Sequence, residues 1–214
     1  MDEDEDKKPI LNVAFYKTEL GKEPVREWLK DLSKEDRQAI GEDIKTAQYG
    51  WPLGMPLIRK IERGLWEVRS SINAGIARVF FTVMDRRMIL LHGFVKKSQK
   101  TPPNELDTAR RRLNNIEKDW AMNKKHIGSN FDDFLKEEKI YEQVHAAAIK
   151  RVVAYQIVEE MKKKNLTKTE MASRMKTSRA ALERLLDPEN ASITLFTLER
   201  AASALGKTLR VELG

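Results

Sequence analysis

Residues 166–188, LTKTEMASRMKTSRAALERLLDP, constrain this chain more than any other stretch. Thr167 and Glu170 stand three apart ahead of an apolar-periodic run, the pattern of a capping box that opens a helix. The spacing predicts a helix over Lys168–Met175 with Met171, Ala172 and Met175 on one face. Thr177 or Ser178 then caps a second helix, with Ala181, Leu182, Leu185 and Leu186 inward and Arg179, Ala180, Glu183 and Arg184 outward. Asp187-Pro188 ends it, because proline has no N–H with which to continue the ladder. Two short helices joined by a tight turn, the second opening on small and basic residues, form a helix-turn-helix, the geometry that enters a DNA major groove. The competing reading is an ordinary helical hairpin.

The chain of 214 residues has room for one large domain or two small ones, and 41% hydrophobic residues suffice for real cores. With no cysteine, disulfides, thiolate metal sites and cysteine nucleophiles are excluded. No apolar run approaches membrane length, and the opening MDEDEDKK is acidic where a signal peptide is basic and apolar. A soluble, cytoplasmic protein is expected. The net charge is +7, which suits a polyanionic partner. Between Arg59 and Arg112 there are 13 Lys and Arg against 5 Asp and Glu, so the excess is concentrated there. The acidic run Asp2–Asp6 reads as a solvated tail.

The pattern changes along the chain. In the first half 11–16 reads as a strand, and helices follow over 24–32 and 34–49, the second capped by Ser33. The segment 50–56 is loop by its Gly and Pro content. Strands are predicted over 65–71, 76–84 and 88–95, the last two joined as a hairpin through Asp85-Arg86-Arg87. A closing helix carries Leu106, Ala109, Leu113 and Ile116. The expected fold is an antiparallel sheet with helices packed on one side, an α+β domain. From Phe131 onward the pattern is helical. The polar stretch 117–130 between them is read as a seam, and Met122 looks like the first residue of a separate polypeptide. Two fused genes and two chains joined by design both produce that arrangement.

Two family resemblances follow from these residues. Residues 152–214, through SITLFTLERAASALGKTLRVEL, resemble the Cro/repressor-type (XRE) helix-turn-helix of HigA-type antitoxins, which implies a last helix and a short C-terminal strand. Lys176 stands where that family often has a turn glycine, which puts the turn in question, since left-handed backbone costs a lysine more than a glycine. The resemblance implies operator DNA as partner and a homodimer or higher assembly. The DNA-binding residues carried over are Lys168, Thr177, Ser178, Arg179 and Arg184.

The first half carries Leu65-Trp66-Glu67-Val68-Arg69, Ala77-Arg78-Val79 and Leu91-His92-Gly93-Phe94-Val95-Lys96-Lys97 in order. It resembles the phage-derived, HigB-like branch of the RelE/ParE toxin superfamily, over about residues 13–116. The resemblance implies a RelE-like α+β fold and a metal-independent endoribonuclease that cleaves mRNA on the ribosome without a cofactor. Arg69, Arg78, Lys96 and Lys97 are the implied catalytic cations. His92 titrates near neutrality and is a candidate base, against which stands a buried, hydrogen-bonded histidine in the apolar run MILLHGF. Lys100 and, by stacking, Trp51 are candidate RNA contacts. Fixed cations stabilise the charge that grows on phosphate during attack by a 2′-hydroxyl. Two readings stand against this one: a gyrase-poisoning sibling of the same superfamily, and a dedicated transcriptional regulator with an inert RelE-like domain.

Phe131, Phe134 and Leu135 make an apolar stripe beside Asp132, Asp133 and Glu138. This segment resembles the N-terminal region of HigA-type antitoxins and is expected to neutralise the toxin half, in cis or in trans, by docking apolar anchors and carboxylates on a basic module. An ordinary helix packed on the DNA-binding domain is the alternative. The resulting division is residues 1–121 as toxin, 122–151 as seam and neutralising segment, and 152–214 as DNA-binding antitoxin domain.

Overall fold

The computed structural model describes residues 11–96, 102–120, 124–187, 190 and 193–211; Lys97, Lys100 and Met122 lie outside the described residues. The chain forms two compact units, one ending at His145 and the other starting at Ala146.

The first unit is built on a six-stranded sheet in the order β2-β3-β4-β5-β1-β6. Its strands are β1 (Asn12–Tyr16), β2 (Ile58–Glu62), β3 (Leu65–Ile72), β4 (Gly75–Met84), β5 (Arg87–Lys96) and β6 (Ile127–Asn130). Strands β3, β4 and β5 follow from apolar runs rich in β-branched and aromatic residues, in β4 and β5 buried without alternation because helices cover both faces. A two-residue turn joins β4 to β5, with Asp85 and Arg86 both at positive φ, which matches the right-handed twist of the flanking strands. The sheet is mixed, where an all-antiparallel one was expected: β1 runs parallel to β5, Asn12 opposite Arg87 and Phe15 opposite Leu90. The long connection between β1 and β5 leaves room for that parallel entry.

Helices cover both faces, against the expectation of one side. Helix α3 (Pro103–Asp119) packs Ala109, Leu113 and Ile116 on Tyr16, Leu65, Phe80, Ile89, Leu91 and Phe94. Helices α1 (Pro24–Lys30) and α2 (Lys34–Gly50) precede β2 in the chain. A Cβ on Gly93 would overlap the Trp28 ring of α1. Because side chains alternate along a strand, α1 lies on the face opposite α3. Phe15, next to Tyr16, packs on Phe131 and Phe134 of α4 (Phe131–Glu137), so α4 shares the α1 face. The start of α5 (Tyr141–Lys163) completes this layer: a Cβ on Gly41 of α2 would meet Leu135 and Val144 at 3.3 Å.

The second unit is helical: the remainder of α5, α6 (Lys168–Arg174), α7 (Arg179–Leu186) and α8 (Leu195–Ala204). Its core joins Ile157 and Met161 to Met171, Ala172, Met175, Leu182, Leu185, Ala201 and Leu205. The capping box at Thr167 and Glu170 forms as expected. Lys176 does take the left-handed conformation, at φ 50. The turn is held by Thr177 N–H donating to Ala172 O at 2.9 Å and by Arg200 donating to the carbonyls of Met175 and Lys176. These bonds offset the strain that glycine would have avoided. The expected C-terminal strand does not form over 207–211. Among the described residues no helix is long and apolar enough to cross a membrane.

Candidate functional site

The first unit carries a cluster of cations on the α3 side of the sheet. Glu67 on β3 sits opposite Arg59 of β2 and Phe80 of β4, and Arg69 sits directly opposite Arg78. Arg78 in turn opposes Phe94 of β5, and Ile76 opposes Lys96. Register therefore brings Arg59, Arg69, Arg78 and Lys96 onto one surface around one carboxylate. Glu67 is fully buried and accepts bonds from Arg69 Nε at 2.6 Å and from Arg78 Nη1 at 3.1 Å.

Like charges placed opposite one another in a sheet repel, and Glu67, bonded to both Arg69 and Arg78, opposes that repulsion. The electrostatics record the cost. Burial pulls the Arg78 pKa down, Glu67 opposes this, and Arg69 and Arg59 add to the fall. The Lys96 ammonium is lowered by desolvation and then by Arg78, Arg69 and Arg59. A phosphate in this surface would relieve the same repulsion.

His92 lies at the margin of the cluster. A β-bulge in β5 at the Phe80/Phe81 step lets Leu91 enter the α3 core while His92 also faces α3. His92 Nε2 meets Glu105 of α3. Arg112 donates to Leu91 O at 2.7 Å and stands 3.2 Å from His92 Nδ1. Burial lowers the His92 pKa, the Glu105 bond opposes it, and Arg112 adds to the fall. The histidine is thus held on both ring nitrogens.

Trp51 is not brought to this surface. It packs edge-on against Trp66 and Phe81, and Trp66 points to the face away from Leu65 and Glu67. Glu67, Arg59, Glu105 and Arg112 were not singled out from the sequence as site residues. Glu67 alone left a signal, as a lone acid inside an apolar strand.

A second set of contacts lies at the other edge of the sheet. His126 is buried, stacks on Tyr16 at 5.3 Å, donates from Nδ1 to Lys17 O at 2.8 Å and places Nε2 3.1 Å from Asp119. Strand β6 then pairs antiparallel with β1, Ile127 with Tyr16 and Asn130 with Ala14. Glu23 accepts from both Ser129 N–H and Ser129 Oγ, the latter at 2.6 Å. Only glycine fits at 128, where a Cβ would overlap Glu23 and come within 2.9 Å of Phe15 O.

Asn130 caps α4 by accepting from Asp132 N–H at 2.7 Å, which fixes the first helical turn. Phe131, Phe134 and Leu135 are buried. The acids of this helix and of its C-cap meet cations of α1 and α2: Asp132 with Lys45 at 2.8 Å, Glu137 with Arg26, and Glu138, the C-cap, with Arg37. Asp133 points to solvent and reaches Lys136 of its own helix at 4.0 Å.

In the second unit Lys168, Ser178, Arg179, Ala180 and Arg184 are exposed and Thr177 is half-buried. Ser178 caps α7 by accepting from Ala181 N–H at 3.1 Å. Arg179 donates to Glu183 at 3.1 Å, and Lys168 stands 4.0 Å from the same carboxylate. Arg184 lines a cleft of about 320 Å³ with Thr177, Thr194 and Thr197 between α7 and α8.

Sheet, helices and basic cluster define the first unit as a small α+β module that gathers Arg59, Arg69, Arg78 and Lys96 at the β2–β5 end of its sheet, with Arg78 and Glu67 buried. Residues 27–114, from α1 to the middle of α3, match the family described as Phage derived protein Gp49-like (DUF891), a phage-derived, toxin-related family. The matched stretch includes Arg59, Glu67, Arg69, Arg78, His92, Lys96 and Glu105. No curated protein matches the chain.

Proposed function

We propose that residues 11–120 form a toxin module that cleaves mRNA, that residues 124–145 neutralise it, and that the second unit binds operator DNA and represses expression of the pair. The carrying observation is Arg69 directly opposite Arg78, with Arg59 and Lys96 alongside and one buried carboxylate among the four. Such a surface is costly for folding and suited to a polyanion.

In the proposed reaction a ribose 2′-oxygen bonds to the adjacent phosphorus, and the bond from phosphorus to the 5′-oxygen breaks. The products are a 2′,3′-cyclic phosphate and a 5′-hydroxyl. The 2′-hydroxyl proton passes to the Glu105 carboxylate, which His92 orients, and the Lys96 ammonium gives a proton to the leaving 5′-oxygen. Arg78 and Arg69 meet the non-bridging oxygens, where charge accumulates. Glu67 holds both guanidinium groups in place beforehand, so little reorganisation is needed as the charge develops. His92, bonded through one ring nitrogen to Glu105 and through the other to Arg112, positions that carboxylate rather than taking the proton itself. Lys97 and Lys100, next in sequence, are assigned to the same RNA surface on the resemblance alone.

For the second unit the proposal rests on the exposed start of α7 and the formed turn before it. Arg179 is assigned to base edges and Lys168 and Arg184 to phosphates. Ser178 contributes mainly as the cap that starts α7, and Thr177 lies beside it. A homodimer or higher assembly supplies paired half-sites. Production of residues 1–121 alone in bacteria tests the toxin reading: growth arrest supports it, and normal growth with soluble, folded protein refutes it.

A further inference from the structure

Lys45 is the most unusual ionisable group in the first unit. A lysine with no solvent exposure is rare unless paired. Its ammonium bonds Asp132 at 2.8 Å and lies 4.6 Å from the Tyr49 ring and 5.7 Å from that of Tyr141. Lys45 and Tyr49 belong to α2, whereas Asp132 and Tyr141 arrive with the segment that follows β6. The cage therefore closes only when that segment is seated. Burial pulls the Lys45 pKa down, and the bond to Asp132 opposes the fall.

We infer that Lys45 selects the docking segment, accepting one that seats a carboxylate where Asp132 stands and rejecting one that does not. This rests on residues 124–145 being a docking element for the toxin module. The selection works through geometry. Pairing of β6 with β1 sets the register, and the Asn130 cap fixes the helix start, so a single residue is delivered to Lys45. The neighbouring acid, Asp133, misses it and faces solvent. A buried ion pair adds little net stability against an apolar pair of similar size, but removing one partner strands the other charge. Such a pair discriminates between partners by penalising the wrong one. The arginine pairs at Glu137 and Glu138 are less enclosed than Lys45, so they serve steering more than selection.

The test uses the full chain and hydrogen exchange at the amides of residues 129–138. Asp132→Asn is expected to raise their exchange rate at least about a hundred-fold, from the cost of an unpaired buried charge at tenfold per 1.4 kcal/mol. Asp133→Asn is expected to leave it unchanged. Lys45→Met combined with Asp132→Leu is expected to return exchange to within a few-fold of the parent, because both charges are gone. Asp132→Glu keeps the charge and retains most of the protection. Parent-like protection in Asp132→Asn overturns the inference, and so does a double variant as exposed as the single. If the double variant does not fold, Asp132→Glu against Asp132→Asn still decides. Exchange reports docking whatever the module does to RNA, so absence of growth arrest from residues 1–121 would refute the proposed activity and leave this result standing.

Discussion

The two ends of the sheet in the first unit treat positive charge in opposite ways. At the β1–β6 edge three cations, Arg26, Arg37 and Lys45, each meet a carboxylate from α4 or the residue after it. On β2–β5 Arg69 and Arg78 share the buried Glu67, with Arg59 and Lys96 on the same face. The first pattern is that of an interface already filled. The second sets cation beside cation, an arrangement that suits a bound phosphate. The segment proposed to neutralise the module thus sits on the opposite side of β5 from the sheet end that carries Arg69 and Arg78, and in the proposed account it acts without filling the basic surface.

The largest effect expected from breaking this comparison is at the filled edge. Phe131, Phe134 and Leu135 are each about fully buried, and truncating such residues costs roughly 2–5 kcal/mol apiece. The triple alanine variant is expected to lose hydrogen-exchange protection throughout β6 and α4. Retained protection would place the docking energy elsewhere.

The basic cluster should respond in activity rather than in stability. Arg78→Ala in residues 1–121 is expected to lower RNA cleavage about 10²–10³-fold, the scale of losing one preorganised charge-stabilising donor. Lys96→Ala should act in the same direction more weakly. Circular dichroism confirms that the fold is kept, and full activity in Arg78→Ala would move the reaction off this face.

Gly128→Ala probes the edge by shape alone. The added methyl overlaps Glu23, so the clamp on Ser129 must open, at a cost of roughly 1–3 kcal/mol. The melting temperature of the full chain should fall, with exchange rising first in β6. An unchanged melting temperature would show that Glu23 moves aside freely.

The smallest expected effect is a pH dependence from His92. Its folded pKa is lowered, first by burial. Above the ordinary histidine value of about 6.5 the folded and unfolded forms are both neutral, and the stability is fully present. As pH falls below that value the unfolded chain takes up a proton before the folded one, and stability declines until His92 itself protonates. His92→Gln should flatten that slope, and an unchanged slope would assign it to other groups.

Much of this was legible in the sequence, for reasons that also explain the gaps. Strands β4 and β5 announced themselves as short apolar, β-branched and aromatic runs bounded by turn residues, β3 by its apolar Leu-Trp-x-Val start, and the helix-turn-helix by its caps. Arg69 and Arg78 stood out because each interrupts an apolar or small-residue strand. Strand β2, IRKIE, has no apolar face to advertise it and needs β3 beside it. Strand β6, IGSN, reads as polar linker because its pairing is fixed by Glu23 and by the β1 edge, both about a hundred residues upstream. Arg59, Glu105 and Arg112 reach the site only through cross-strand register, a bulge and the placement of α3, none of which a local pattern encodes. The left-handed turn at Lys176 was legible as a departure from glycine. What holds it, Arg200, lies 24 residues further on.

The most direct test of the central claim is to map RNA ends in bacteria producing residues 1–121, beside the Arg78→Ala variant at equal protein level. New 5′-hydroxyl ends within translated messages, paired with 2′,3′-cyclic phosphates and absent in the variant, are the expected result. Growth arrest with intact messages, or the same ends in both, would contradict the assignment of the basic face as the centre of cleavage.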